Sequence, residues 1–319
     1  MKIIAPVKRA SDTLGLIRSG ADELFGGVYD KQWETEFGPY LEYNRRGSYG
    51  VNGSCRSWEE LKEILSVCEE EMVPFSLAIN ALRINISEYS LIRQIIEKFK
   101  SIGGKKLIVS DISALKIAHE LGLDITVSSC SNCFSVETVR YYYNEGIRSI
   151  IFPRDVSIPE MNTIAKSFPE MEFEAFGMYA GCRFSDGNCL GIHNTSYREL
   201  CNFCDTGDWH MERIDGKGLE KDEEVYLRNM NQRFSLLWKN ACGQCALFLL
   251  MDIVTRIKIL DRVGSVEKLK NIIALTRNNL DIISNCKSNE EYLSKMIIPS
   301  SVECSSGNDC YYNLIRLEE

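Results

Sequence analysis

Short apolar runs and amphipathic stretches alternate along the first 180 residues. Residues 2–7, 23–29, 74–81, 106–110, 125–129, 149–153 and 172–178 are rich in β-branched and aromatic residues, which predicts strands. Between them, residues 11–19, 57–71, 87–101, 112–121, 136–144 and 159–167 carry helical spacing, several ending at glycine. Residues 87–101 place Tyr89, Ile92, Ile95, Ile96 and Phe99 on one face. Ser57 stands as a helix cap, and Ser157 with Glu160 reads as a capping box. The rhythm breaks after residue 178, then resumes with a strand over 255–260 and a long helix over 265–283.

Eight strands in strand-helix alternation predict a parallel sheet, and eight units favour closure into a (β/α)8 TIM-like barrel. No G-x-G-x-x-G follows the first strand, so a dinucleotide fold has no support. The expected organisation is a barrel over 1–285, a Cys-rich insertion at about 179–253 between strands seven and eight, and a tail over 286–319. Barrel chemistry sits at the C-terminal strand ends. Those ends carry Tyr29, Asn80, Asp111, Ser129, Arg154, Tyr179 and Lys258.

Composition adds one feature. The 319 residues include 13 cysteines, against an ordinary 45% hydrophobic and 26% charged residues. The first apolar run is too short for a signal-peptide core, and residues 246–251 fall far short of the roughly 20 that a membrane span needs. A cytoplasmic protein with reduced thiols is expected, its cysteines serving as metal ligands and buried residues. The net charge of −8 disfavours broad contact with nucleic acid, making RNA a less favoured partner than a small molecule or peptide.

Eight cysteines fall in four pairs: Cys182 with Cys189, Cys201 with Cys204, Cys242 with Cys245, and Cys304 with Cys310. The C-x-x-C spacing at 201 and 242 lets two sulfurs face one metal. A structural zinc site, an iron–sulfur cluster and redox or unligated thiols all remain open; placement beside a barrel mouth favours the cluster. Cys55, Cys68, Cys130, Cys133 and Cys286 read as small buried residues. His119, His193 and His210 give no triad and no H-E-x-x-H, so a conventional hydrolase has no motif here.

Several stretches, in order, resemble the U-32 collagenase-like peptidase family. They are Ile4-Ala5-Pro6 with Gly20-Ala21-Asp22, Ile108 through Asp111, Val127 through Asn132, Phe152 through Ser157, Glu174 through Cys182 with Cys189-Leu190, and Ile257 through Arg262. The similarity runs in one register from residue 3 to about 285. It implies a peptidase-like barrel whose relatives include oxygen-independent hydroxylases of ubiquinone precursors or RNA bases, holding a 4Fe–4S cluster on four cysteines. Cys182 and Cys189 match directly. The third ligand falls on Cys201 or Cys204 and the fourth on Cys242 or Cys245. Cys304 and Cys310 lie beyond the matched stretch, and eight thiols would serve two clusters.

The chain departs from the family pattern at Met178 (a His in the family), Cys130 (a Gln) and Leu260-Asp261 (Glu-Gly). The implied activity is cluster-dependent hydroxylation or a related modification. Peptide hydrolysis and a non-catalytic role beside a homologous partner subunit are the alternatives. Arg154, Lys258 and Arg262 are expected to bind a carboxylate or phosphate. Asp111 and Tyr179 are expected to handle protons, while Asn80, Ser129 and Asn132 orient polar groups. A purely structural alternative pairs Arg154 and Lys258 with Asp111 inside the barrel.

Overall fold

The computed structural model describes residues 1–38, 43–45, 51–82, 84–179, 186–188, 212–225, 241–261, 264–302, 304 and 310–312. Eight parallel strands close a barrel in sequence order: β1 (Lys2–Pro6), β2 (Glu23–Gly26), β3 (Phe75–Ile79), β4 (Lys106–Val109), β5 (Asp124–Val127), β6 (Ser149–Ile151), β7 (Glu172–Met178) and β8 (Arg256–Ile259). Closure is made by β1 on β8, with Lys2 opposite Arg256 and Ile4 opposite Lys258.

The helices form the outer layer: α1 (Ala10–Arg18), α2 (Lys31–Phe37), α3 (Trp58–Glu70), α4 (Tyr89–Ser101), α5 (Ile112–Glu120), α6 (Val136–Asn144), α7 (Ile158–Ser167), α8 (Leu247–Leu250), α9 (Val266–Ile283) and α10 (Asn289–Lys295). The capping box of Ser157 and Glu160 is present at α7, and Ser57 caps α3. On α4, Ile92, Ile95, Ile96 and Phe99 of the predicted stripe are buried, Tyr89 is half-buried, and Leu91 is buried beside them.

Period-two alternation divides the strand residues. Ile3, Ala5, Leu24, Leu77 and Val109 belong to the large core under the helices. Ile4, Phe25, Ile108, Ile151 and Phe176 form a separate apolar cluster. The inner face also carries charge. Arg256, 1% exposed, reaches Glu172 at 3.0 Å, Glu23 at 3.8 Å and Glu174 at 3.9 Å, and bonds to Ser149. Lys106 meets Glu23 at 3.2 Å, and Lys258 meets Glu174 at 2.7 Å. Burial pushes the Glu23 carboxyl up, but Lys106, Arg256 and Lys2 outweigh it and hold Glu23 below its ordinary value. The interior is thus an apolar layer beside a paired ionic one.

Gly177 marks a bulge in β7 against β8, where the register slips between Phe176 and Met178. A Cβ there would collide with Ile257. The bulge turns the Phe176 and Gly177 carbonyls towards other segments. Tyr312 donates its hydroxyl to the former at 2.7 Å, and Gly243 its N–H to the latter at 2.8 Å.

Candidate functional site

The C-terminal strand ends gather polar groups around the mouth, as barrel geometry requires. Arg154 follows β6. Its guanidinium stacks 4.2 Å from the Phe176 ring centre and pairs with Asp186. Arg45 reaches the same carboxylate at 2.5 Å and the Cys130 sulfur at 3.2 Å. Asp186 is 0% exposed. Burial pushes its carboxyl up, yet Arg154 and Arg45 prevail and hold it at about 2. A clamp of two guanidiniums on one carboxylate therefore fixes the short turn at 186–188 to the barrel. That turn lies between Cys182 and Cys189 in the sequence.

The turn seats against Ser129–Ser131, a short 3-10 segment after β5. Asn132 closes that segment in the left-handed region, at φ 56°. Its side chain packs where a Cβ on Gly187 would stand, so Gly187 permits the close approach. Asn80 accepts the Arg45 N–H at 3.1 Å and donates to Ser128 at 3.5 Å. Asn80, Ser129, Asn132, Arg154 and Asp186 are thus brought together on one side of the mouth.

Three other predicted residues have structural partners. Asp111 caps α5, accepting from Ser113 N–H at 2.7 Å and Ile84 N–H at 3.1 Å. Lys258 lies inside the barrel, paired with Glu174 and 3.8 Å from the Phe25 ring centre. The pairing of Arg154 and Lys258 with Asp111 is corrected: they pair with Asp186 and Glu174, because Asp111 turns to the α5 N-terminus. Tyr179, buried at the end of β7, shares a 3.0 Å hydrogen bond with Ser301. Burial raises its hydroxyl, which keeps the phenol protonated at neutral pH. Arg262, Cys182, Cys189, Cys201, Cys204, His193 and His210 lie outside the described residues.

The other four predicted ligands lie near one another at the mouth, but among the described residues no three Cys, His, Asp or Glu side chains are placed to hold one metal. Cys242 forms an antiparallel bridge to Met178 and a parallel one to Cys310. The Cys245 thiol lies against Cys310, with Cys242 and Cys304 nearby; the Cys310 contact, then burial, raises it strongly. By contrast, Cys68 and Cys133 are isolated in the core, where burial alone pushes each up to about 12. Tyr311 donates to the Tyr179 carbonyl at 2.5 Å, stacks on Phe176 and packs against the barrel's inner cluster. The segment at 310–312 is thereby built into the mouth.

A buried polar network holds the C-x-x-C turn from behind. Gln244, 0% exposed, donates to Thr276 at 2.9 Å and accepts from Asn279 at 2.9 Å. Tyr292 donates to the Gln244 carbonyl at 2.6 Å, and Asn279 exchanges bonds with Ile297 at 2.8 and 3.0 Å. Gly243 is required as well, since a Cβ would lie 2.9 Å from Tyr312 and 3.0 Å from the Phe176 carbonyl. Gln244→Ala strands the Thr276 and Asn279 partners, and is expected to cost about 2–3 kcal/mol in denaturant unfolding. An unchanged midpoint would refute the network's role. Sequence reading missed Gln244, Asn279, Arg45 and Asp186. The available signal was Thr276 and Asn279 three apart on the inner face of α9.

On the opposite rim, a cleft of about 320 Å³ is lined by Lys106, His119, Asp124, Arg148 and Glu172, away from the strand ends that carry the thiols. Among the described residues, no helix is long and apolar enough to cross a membrane.

A closed parallel (β/α)8 barrel with a thiol-bearing mouth is the class these features define. The chain belongs to peptidase family U32, whose model matches residues 11–310 and so includes Cys304 and Cys310. It is 24% identical over 243 residues to a Porphyromonas gingivalis collagenase, covering 70% of this chain and 53% of that protein. It is 20% identical over 192 residues to a Helicobacter pylori tRNA hydroxylation protein P, covering 60% and 42%. The Escherichia coli protein of that name is 30% identical over 91 residues, covering 28% and 20%. The chain spans about half or less of these curated relatives. Among solved structures, an N-acetylneuraminate lyase from Fusobacterium nucleatum, complexed with pyruvate, aligns at TM-score 0.51 and 9% identity, covering 92% of this chain and 76% of that one; it shares the fold.

Proposed function

We propose that this U32 protein is an iron–sulfur-dependent redox enzyme of the hydroxylase type. The observation that carries the reading is the gathering of thiols at the mouth of a closed barrel, beside the clamped turn between Cys182 and Cys189. The donor chemistry fits the group: soft sulfur ligands suit zinc or iron–sulfur centres. Cys182 and Cys189 would hold the cluster with thiols of the C-x-x-C pairs. Bound there, it would supply one-electron chemistry that side chains lack.

The remaining work belongs to the chain. Arg154 and Arg45 present positive charge at the mouth, already matched by Asp186, so they favour a polar substrate over a strongly anionic one. The protonated Tyr179 hydroxyl is a hydrogen-bond donor. Tyr311 and Phe176 offer an aromatic surface for a planar group. The acidic chain favours a small molecule or short peptide, while relatives named for tRNA hydroxylation add an RNA base to the substrates to test.

Anaerobically purified protein is expected to be brown and to contain iron and sulfide. Cys182→Ala or Cys189→Ala should lose that iron. A colourless protein, or full iron in both variants, would reject the reading. A relative named collagenase keeps hydrolysis as the second reading; it predicts peptide cleavage by aerobically purified, iron-free protein.

A further inference from the structure

We propose that the cleft on the N-terminal rim of the barrel binds a small zwitterion, an amino acid with an apolar side chain. Its ammonium group would face Asp124 and Glu145, and its carboxylate would face Arg148. The site lies at the opposite end of the barrel from the paired cysteines at the mouth. It goes beyond the reading of the preceding section and stands whether or not the mouth holds a cluster.

The barrel itself builds the cleft. Its floor is made by the starts of β4 to β7, where Lys106 stands opposite Asp124 and Ser149 opposite Glu172. Its sides are the ends of α5 and α6, marked by His119 and Gly146. Helix C-termini carry partial negative charge, which favours an ammonium group between them. Three floor groups are already held. Lys106 meets Glu23 at 3.2 Å, Glu172 meets Arg256 at 3.0 Å, and Ser149 shares a 3.0 Å hydrogen bond with Thr126. A floor fixed before the ligand arrives lowers the ordering cost of binding.

The charges on the rim are spare. Asp124, Glu145 and Arg148 line the cleft and are exposed. The lysines nearest in sequence, Lys105 and Lys106, pair with Glu69 and Glu23 instead. Among the described residues, Asp124 and Glu145 make no ion pair. Arg148 lies over the Tyr143 ring, 4.1 Å from its centre, and spends Nη1 on the Tyr143 and Ile147 carbonyls at 3.0 and 2.8 Å. Its Nη2 and Nε remain, and that edge of a guanidinium fits a carboxylate. A ligand of one charge would leave either the carboxylates or Arg148 unmatched, whereas a zwitterion satisfies both. Leu123, Ile125 and Ile147 supply an apolar wall for its side chain. The volume, about 320 Å³, lies at the small end of ligand pockets and suits an amino acid better than a nucleotide.

The test titrates full-length protein with free L-leucine, L-methionine and L-phenylalanine, each followed by calorimetry and thermal shift. At least one should bind saturably and raise the unfolding temperature. The matching acid without the amine, and the matching amine without the carboxyl group, should each bind at least about tenfold more weakly, since each loses a charge-assisted contact. Arg148→Gln, and Asp124→Asn with Glu145→Gln, should each weaken binding by a similar factor. These positions are exposed, so the variants keep the fold, and their own unfolding temperatures check this. Cys182→Ala should bind as wild type does, so failure of the cluster reading leaves this result standing. No binding by any of the three at millimolar concentration, equal binding of either analogue, or full binding by both rim variants would overturn the proposal.

Discussion

Asp186→Ala is expected to destabilise the protein by about 3–5 kcal/mol, the cost of removing one partner from a buried ion pair. The substitution leaves the Arg45 and Arg154 guanidiniums facing each other, at 12% and 11% side-chain exposure, without their shared counter-charge. Denaturant unfolding would measure the loss. The pH dependence has a defined sign. The Asp186 carboxyl sits at about 2 in the fold against an ordinary 3.8. Its contribution is therefore fully present above the ordinary value and is lost as pH falls towards about 2. Linkage converts that depression into about 2–3 kcal/mol. Wild type and Asp186→Asn should thus converge in stability across that acid window. A gap that stays constant down to its lower edge would show that the carboxylate's charge is not what matters.

Glu174→Ala is the second large effect, again about 3–5 kcal/mol. Glu174 is 2% exposed and lies between Lys258 at 2.7 Å and Arg256 at 3.9 Å. Its removal leaves two buried cations in the barrel. Glu23 and Glu172 still serve Arg256, whereas Lys258 retains its contact with the Phe25 ring. Of the two cations, Lys258 loses the closer contact, at 2.7 Å against 3.9 Å. A paired change, Glu174→Leu with Lys258→Met, should recover most of the loss, because well-packed apolar groups replace a buried ion pair at little cost. A double-mutant cycle reads this directly. Additive losses would mean that the two side chains are not coupled.

The barrel was legible because its signal is periodic. Each predicted strand has a counterpart within a few residues, and 172–178 matches residue for residue. Ends moved where polar residues left the ladder: the strand predicted over 23–29 stops at Gly26, since Val28 instead bridges Cys55. The short α2 was missed because its seven residues carry one buried side chain, Trp33, and thus no stripe. The site was legible only in its chemistry. Cysteine spacing is local, so the pairs stood out. The Asp186 clamp joins residues 141 apart and the Gln244 network residues 32 and 35 apart, and no local period encodes either. Lys258 looked like a mouth residue because it is near a strand end; alternation turned it inwards. Asp261 is a smaller case. It occupies the family's glycine position and keeps a left-handed backbone, at φ 90°, while its carboxylate accepts the Gly264 N–H at 2.7 Å.

The bulge at Gly177 also bears on the order of events during synthesis. The strand it interrupts is finished well before its partners exist. Its freed carbonyls wait for Gly243 and for Tyr312, the latter 136 residues downstream, and β1 waits for β8. Such distant pairings carry the largest loop-closure cost, so they form late. On a ribosome, residues up to 178 emerge and pack helix by helix while the barrel stays open at one seam. The mouth becomes whole only when residues 310–312 arrive. Cys242 and Cys310 therefore become neighbours only once translation has passed residue 310.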